Sequence, residues 1–362
     1  MSTAKVKMSD VARNAGVSVS TVSKVLSGNG VASQLNASTI ERVQQAIAKM
    51  GYVPNAVARS LRTQQTFTLA SVIPDITNPF YPAFERGVQD VAEANGYDLV
   101  VYNTDGVAAK ERRCLDALMR GRVDGIVGTF FHCSPEDFES ILKRDIALVL
   151  LEEPGGALPE GLTADRVYVD NAKAARAAAN HLVELGHTRI AMLTGQRDTL
   201  ASRVRGYREA LVAHGLQPLL LETGDFTEAC GYSGMLELLQ HETRPTAVFA
   251  ANDVMAMGAL LALREHQVNV PGEVALVGFD DIPVSRLLTP TLTTVSQFPE
   301  RLGRRTAELL IERLRGQAVG EMGRSEEMPF ELIVRESSAG PAQRPNRKLN
   351  TDETHIKGVA MI

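Results

Sequence analysis

At 362 residues, 44% hydrophobic and 22% charged, the chain exceeds one ordinary domain and is expected to form two or three compact, water-soluble units. No apolar run approaches the roughly 18 residues of a membrane span, and Lys5, Lys7 and Asp10 precede no export-like stretch, so a cytoplasmic protein is expected. The net charge of −5 is unevenly held: residues 1–65 carry eight Lys and Arg against Asp10 and Glu41, net +6, leaving −11 on the remainder, which suits a polyanion contact made by the basic head alone.

In the head, Met8, Val11, Ala12 and Ala15 recur at helical spacing and Gly16 supplies a turn. Ser18 can cap a second helix that sets Val22, Val25 and Leu26 on one face and Val19, Ser20, Ser23 and Lys24 on or near the other. Two short helices joined by a Gly-containing turn make a helix-turn-helix. Small and polar side chains at the start of its second helix, with a cation one turn on, suit a major-groove reader, so Val19, Ser20 and Lys24 are the specificity candidates. A third helix, capped by Asn36 or by the Ser38/Glu41 pair, would close a small core with Ile40, Val43, Ala46, Ile47 and Met50.

Residues 54–63 contain good helix formers but are too few for a stable helix alone in water. From residue 67 the pattern alternates. Strand-like runs at 69–73, 99–102, 125–128, 148–151, 190–193, 247–250 and 274–278 are separated by helix-like stretches at 84–95, 111–119, 172–185, 205–214, 230–239 and 253–265. Such alternation predicts parallel sheets covered by helices, and its restart after about residue 169 predicts two similar lobes. Ligands of open α/β sheets bind at the carboxyl ends of strands, so the interlobe cleft is the expected pocket. Asp75, Asn78 and Phe80 follow the first strand, Arg203 precedes a helix, and Asn252, Asp253, Asp280 and Asp281 follow later strands. Carboxylates, an amide and a guanidinium converging on a cleft suit a polyhydroxylated ligand, which both donates and accepts hydrogen bonds. Asp and Asn after a strand are equally at home as helix caps or turn formers.

The string from Ser9 to Leu26, together with Gly51-Tyr52-Val53-Pro54-Asn55, resembles the headpiece of the LacI/GalR transcriptional regulators nearly position by position, and the resemblance continues to about residue 340. It implies an all-α helix-turn-helix DNA-binding domain (1–53) and a hinge helix with linker (54–66). It also implies a two-lobed α/β, periplasmic-binding-protein-like core at 67–340, with lobes at about 67–167 with 297–327 and 168–296 with 328–340. Ser18, Thr21 and Ser23 would join Val19, Ser20 and Lys24 on double-stranded operator DNA. From the hinge, Asn55, Ala58, Arg59 and Arg62 would touch the duplex while Leu61 wedges into the minor groove. Arg203, Asn252, Asp280 and Gln297 match effector-binding positions, Phe226 matches an aromatic that packs on the effector, and Asp75, Asn78 and Phe80 join them. Where relatives commonly carry Ile-Asp-Arg, this chain has Leu151-Glu152-Glu153; Glu152 enters the effector set, and the exchange of a cation for a carboxylate argues against an anionic ligand.

The function expected is a sequence-specific repressor: a homodimer on a palindromic operator at the nucleoid, controlled by a sugar or related metabolite, with no cofactor and no membrane partner. Cys114, Cys133 and Cys230 are too widely spaced for a zinc knuckle or redox pair, so no metal is expected. An enzyme reading finds no dinucleotide or phosphate-loop glycine motif and no nucleophile elbow, and His132, His181, His187 and His214 form no motif with a nucleophile. A freestanding cytoplasmic sugar-binding protein would leave the basic head unexplained. Residues 341–362 are polar, contain prolines, lack leucine heptads and are expected to form a flexible tail rather than a tetramerising coiled coil.

Overall fold

The computed structural model describes residues 6–27, 35–53, 60, 65–120, 123–151, 158, 161–195, 201–317 and 323–339. The chain divides into two compact units, Met1–Phe67 with Gly121–Asp124 and Thr68–Arg120 with Gly125–Ile362.

In the first unit, α1 (Met8–Ala15) ends at Gly16, whose φ of 65° turns the chain so that Val17 N donates to Ala12 O at 3.0 Å. Glycine takes this left-handed conformation without steric cost, so the helix stops there. Ser18 Oγ accepts from Thr21 N at 3.1 Å and opens α2 (Val19–Ser27). Asn36, rather than the Ser38/Glu41 pair, caps α3 (Ala37–Met50), its Oδ1 accepting from Ser38 N at 3.2 Å. Val11, Ala12, Ala15, Val22, Val43, Ala46 and Tyr52 form the core, with Ile47 and Met50 packed against it. Ile40, expected in that core, is only half-buried.

The second unit holds two six-stranded sheets. The first is built from β1 (Thr68–Ile73), β2 (Asp98–Asn103), β3 (Gly125–Gly128), β4 (Ala147–Leu151) and β5 (Asp165–Tyr168), with α4 (Phe80–Ala94) and α5 (Ala108–Leu118) between strands. The second is built from β6 (Ile190–Thr194), β7 (Leu219–Glu222), β8 (Ala247–Ala250), β9 (Ala275–Asp280) and β10 (Thr293–Ser296). Its helices are α6 (Asn171–Glu184), α7 (Ala201–Ala213), α8 (Glu228–Gln240) and α9 (Asp253–Glu265). After β10 the chain returns: α10 (Pro299–Leu314) packs on the first sheet, β11 (Ser325–Glu327) extends it, and β12 (Glu331–Ile333) joins the second. Pairing is parallel throughout except between β10 and β12. The chain therefore crosses between lobes three times, around Val169, around Gln297 and Phe298, and around residues 328–330.

Central strands are apolar runs buried on both faces, as parallel sheets require: β1 buries Leu69, Val72 and Ile73, and β6 buries all of Ile190–Thr194. Helices approach one another closely at glycines. A Cβ on Gly258 of α9 would collide with the carbonyl oxygen of Glu228 in α8, and one on Gly231 of α8 with that of Met255 in α9. Because the obstacle is backbone, the helices themselves would have to move. Alanine is ordinarily about 1 kcal/mol better than glycine inside a helix, but overpacking costs about 1–3 kcal/mol. Gly258→Ala is therefore expected to lower the thermal midpoint by several degrees; a midpoint that rises would show that α8 and α9 can part without loss.

Candidate functional site

Two surfaces carry the chemistry, one in each unit. On the head, Val19 is 47% exposed, and Ser20 and Lys24 are exposed beside it, so the three specificity candidates share a free face. Ser18 is engaged in the helix start: besides capping Thr21 N, its Oγ lies 2.7 Å from Ser20 Oγ and 2.8 Å from Thr21 Oγ1. Thr21 is half-buried. Ser23 is only 8% exposed, turned toward the core beside Val22, a place the helical spacing did not separate from the exposed face. Asn55, Ala58, Arg59, Leu61 and Arg62 lie outside the described residues, as does Glu152.

In the second unit a cavity of about 290 Å³ opens where the carboxyl ends of both sheets face each other. Asp75, Asn78, Phe80, Arg203, Phe226, Asn252, Asp280 and Gln297 all line it. From the first lobe, Asp75 Oδ1 accepts from Thr77 N at 2.8 Å and Asn78 Oδ1 from Phe80 N at 3.0 Å, shaping the turn into α4. Phe80 and Tyr81 meet edge to face with centroids 5.2 Å apart.

The polar centre belongs to the second lobe. Arg203 is buried in α7, where Nε donates to Asn171 Oδ1 at 2.8 Å and Nη1 to Ala251 O at 2.7 Å, while Nη2 lies 3.6 Å from Asp280 Oδ1. Its guanidinium stacks 3.7 Å above the centre of the Phe279 ring, a cation–π contact that fixes the plane of its donors. Gln297 Nε2 donates to Asp280 Oδ1 at 2.7 Å. Burial pushes the Asp280 carboxyl up to about 6, against the opposing pull of Arg203 and Gln297. Asn252 is both a helix cap and a lining residue: Oδ1 accepts from Met255 N at 2.8 Å, and Nδ2 donates to Phe226 O at 3.3 Å.

Lining residues beyond those eight include Tyr81, Asp105, Phe131, Tyr168 and Asp225. Tyr168 ends β5, and Asp225 follows β7, two short strands absent from the sequence-based reading. Asp105 stands two residues after β2, the same signal that singled out Asp75, and pairs with Lys110. Phe131 is held by α5: the buried Glu111 carboxylate accepts from Phe131 N and His132 N, each at 2.9 Å. Nothing local in the sequence links these residues.

Residues 7–55 match the family profile described as bacterial regulatory proteins, lacI family, and residues 179–338 match a periplasmic binding protein-like domain. The ribose operon repressor of Escherichia coli (strain K12) is 38% identical over 315 residues, covering 85% of this chain and 92% of that protein. The lac repressor dimer bound to operator and the anti-inducer ONPF superposes with a TM-score of 0.80 at 26% identity, over 92% of this chain and 99% of that one. A LacI family transcriptional regulator from Enterococcus faecium with bound ribose gives a TM-score of 0.68 at 27% identity, over 75% and 99%.

Proposed function

The chain belongs to the LacI family of bacterial regulatory proteins, and from that premise we propose that it is a repressor whose hold on a palindromic operator is set by a neutral carbohydrate in the interlobe cavity. It is a DNA-binding regulator rather than an enzyme, acting as a homodimer at the nucleoid in the cytoplasm. Two-fold symmetry presents two recognition helices to two half-sites, and Val19, Ser20 and Lys24 read the base edges. Residues 54–63 form the hinge helix only against the dimer mate on DNA, and Leu61 then enters the minor groove. A small change in lobe geometry shifts the population of so short a helix, which is how the cavity speaks to the operator.

The charge balance of the cavity carries the choice of effector. Asp75, Asp105, Asp225 and Asp280 line it, and among the described lining residues Arg203 is the single cation, already donating to Asn171, Ala251 and toward Asp280. A phosphate or carboxylate brought here would meet acceptors where it needs donors. A neutral polyol supplies hydroxyl donors to the carboxylates and apolar ring faces to Phe80, Phe131 and Phe226.

A thermal-shift panel of D-ribose, other neutral pentoses and hexoses, their phosphates and their acids tests this reading. A neutral sugar at 100 times its dissociation constant is expected to add about 2.7 kcal/mol to the native state and raise the midpoint by several degrees. The same sugar should release the full-length chain from its operator in a gel shift, and a chain lacking residues 1–63 should give no shift at all. Stabilisation by phosphorylated sugars alone would overturn the neutral assignment.

A further inference from the structure

Asp280 and Asp281 are consecutive non-glycine residues with positive φ, 110° and 54°. Left-handed backbone at such residues costs about 1–3 kcal/mol each and persists only where the surroundings over-determine it. The restraints converge on Asp253, the first residue of α9, which is fully buried and stands outside the cavity lining. Its Oδ2 accepts from Ile282 N at 2.9 Å and from Ser285 Oγ at 2.7 Å. Its Oδ1 accepts from Thr294 Oγ1 at 2.6 Å, and the same hydroxyl oxygen accepts from Asp281 N at 3.3 Å. One carboxylate thus grips the peptide on both sides of Asp281, directly at residue 282 and through Thr294 at residue 281. Gly278 leaves it the room, since a Cβ there would collide with Asp253 Oδ1. On the far side, Arg335 Nη2 donates to Asp281 Oδ1 at 2.6 Å.

We propose that Asp253 is a positioning residue of the effector cavity: it holds the left-handed turn at 280–281 and thereby aims the Asp280 carboxylate at Arg203, Gln297 and the ligand. The proposal rests on the cavity being the effector site. Arg203 from α7 is the charged group that acts on Asp280, with Gln297 as its hydrogen-bond donor, and both favour the ionised carboxyl; the Asp280 charge in turn acts on Asp253 from α9 inside one buried cluster. Burial first, and the Asp280 charge second, push Asp253 up to about 7.

The test is a carbon-13 titration of the Asp carboxyls in the full chain without ligand, with D280N identifying the Asp280 signal. In D253N the turn is loosened, because an amide offers donors to Ile282 N and Ser285 Oγ, which are donors themselves. The Asp280 titration is expected to rise by about one pH unit, as its carboxyl loses the Arg203 and Gln297 contacts that favour ionisation. D-ribose affinity should drop about tenfold, and adding D281G should recover part of the loss, because glycine adopts the left-handed turn freely. T294V, which cuts only the tether to residue 281, should move the titration the same way and serves if D253N fails to fold. An Asp280 titration unchanged to within about 0.3 unit in the folded variants would overturn the proposal. If D-ribose and the other neutral sugars fail on the parent chain, the neutral-effector reading falls, while the ligand-free titration still decides the role of Asp253.

Discussion

Replacing Asp280 with Ala is expected to abolish the response to the sugar while leaving the effector-free chain as tight on its operator as before. The carboxylate is 4% exposed, receives one hydrogen bond from Gln297 and sits 3.6 Å from the Arg203 guanidinium, so it retains acceptor capacity toward the cavity. A hydrogen bond to a charged group contributes about 1.5–3 kcal/mol, and removing this one also strands a buried guanidinium that has lost its anion. The expected loss is at least about 100-fold in sugar affinity, equivalent to about 2.7 kcal/mol. Because φ at this position is 110°, Asp280→Gly should accompany the alanine variant: it removes the carboxylate without straining the backbone. Both should lose the response in an operator-anisotropy titration, and a glycine variant still released within about threefold of the parent's sugar concentration would remove Asp280 from the site. The pH dependence has a definite sign. Burial pushes the carboxyl up to about 6, and only the ionised form accepts fully from a hydroxyl, so sugar affinity should be flat at higher pH and fall as pH drops through that value.

The lobes and their pocket were legible because the strands that build them announce themselves. Runs such as Ile190–Thr194 and Ala247–Ala250 are continuously apolar, and polar residues just beyond such runs mark the carboxyl edge. Asp75, Asn78, Asn252 and Asp280 stand out in that way, Arg203 by its place before a helix, and the resemblance supplies Gln297 and Phe226. What escaped notice lies on the sheet margins. β5 reads Asp-Arg-Val-Tyr, β10 Thr-Thr-Val-Ser and β11 Ser-Glu-Glu, each three or four residues long and without an apolar run. Their pairing is decided by tertiary partners, so Tyr168, which ends β5, is invisible as a lining residue in the sequence. The head shows a finer limit: period-3.6 reading puts Ser23 near the exposed face, but a residue at the border of a short amphipathic helix can turn either way, and here it is buried.

Asp165→Ala is expected to cost about 3–5 kcal/mol of stability, the usual penalty for removing one partner of a buried ion pair. Asp165 opens β5 with its side chain fully enclosed and is met from two directions. Arg313 of α10 donates Nη2 to Oδ1 at 2.5 Å and Nε to Oδ2 at 2.9 Å. Arg324, just before β11, donates Nη2 to Oδ2 and its backbone N to Oδ1, each at 2.8 Å. Burial alone would raise this carboxyl, but the two guanidiniums outweigh it and hold it at about 2, below its ordinary 3.8. A folded-state value below the unfolded one means that the folded chain sheds the proton more readily. The stabilisation is therefore fully present above the ordinary value and is lost as pH falls through about 2; the difference corresponds to about 2 kcal/mol. Asp165→Asn should consequently unfold earlier than the parent in urea near neutral pH and converge with it in strong acid. An equal gap at both ends of that range would show that the carboxylate's charge contributes nothing. The position of the clamp gives the result a functional reading, because α10 and β11 lie between the crossings around Gln297 and around residues 328–330. Asp165 fastens that returning segment to the first lobe at a point outside the cavity lining, so its loss should lower the melting point while leaving the sugar dissociation constant close to the parent's.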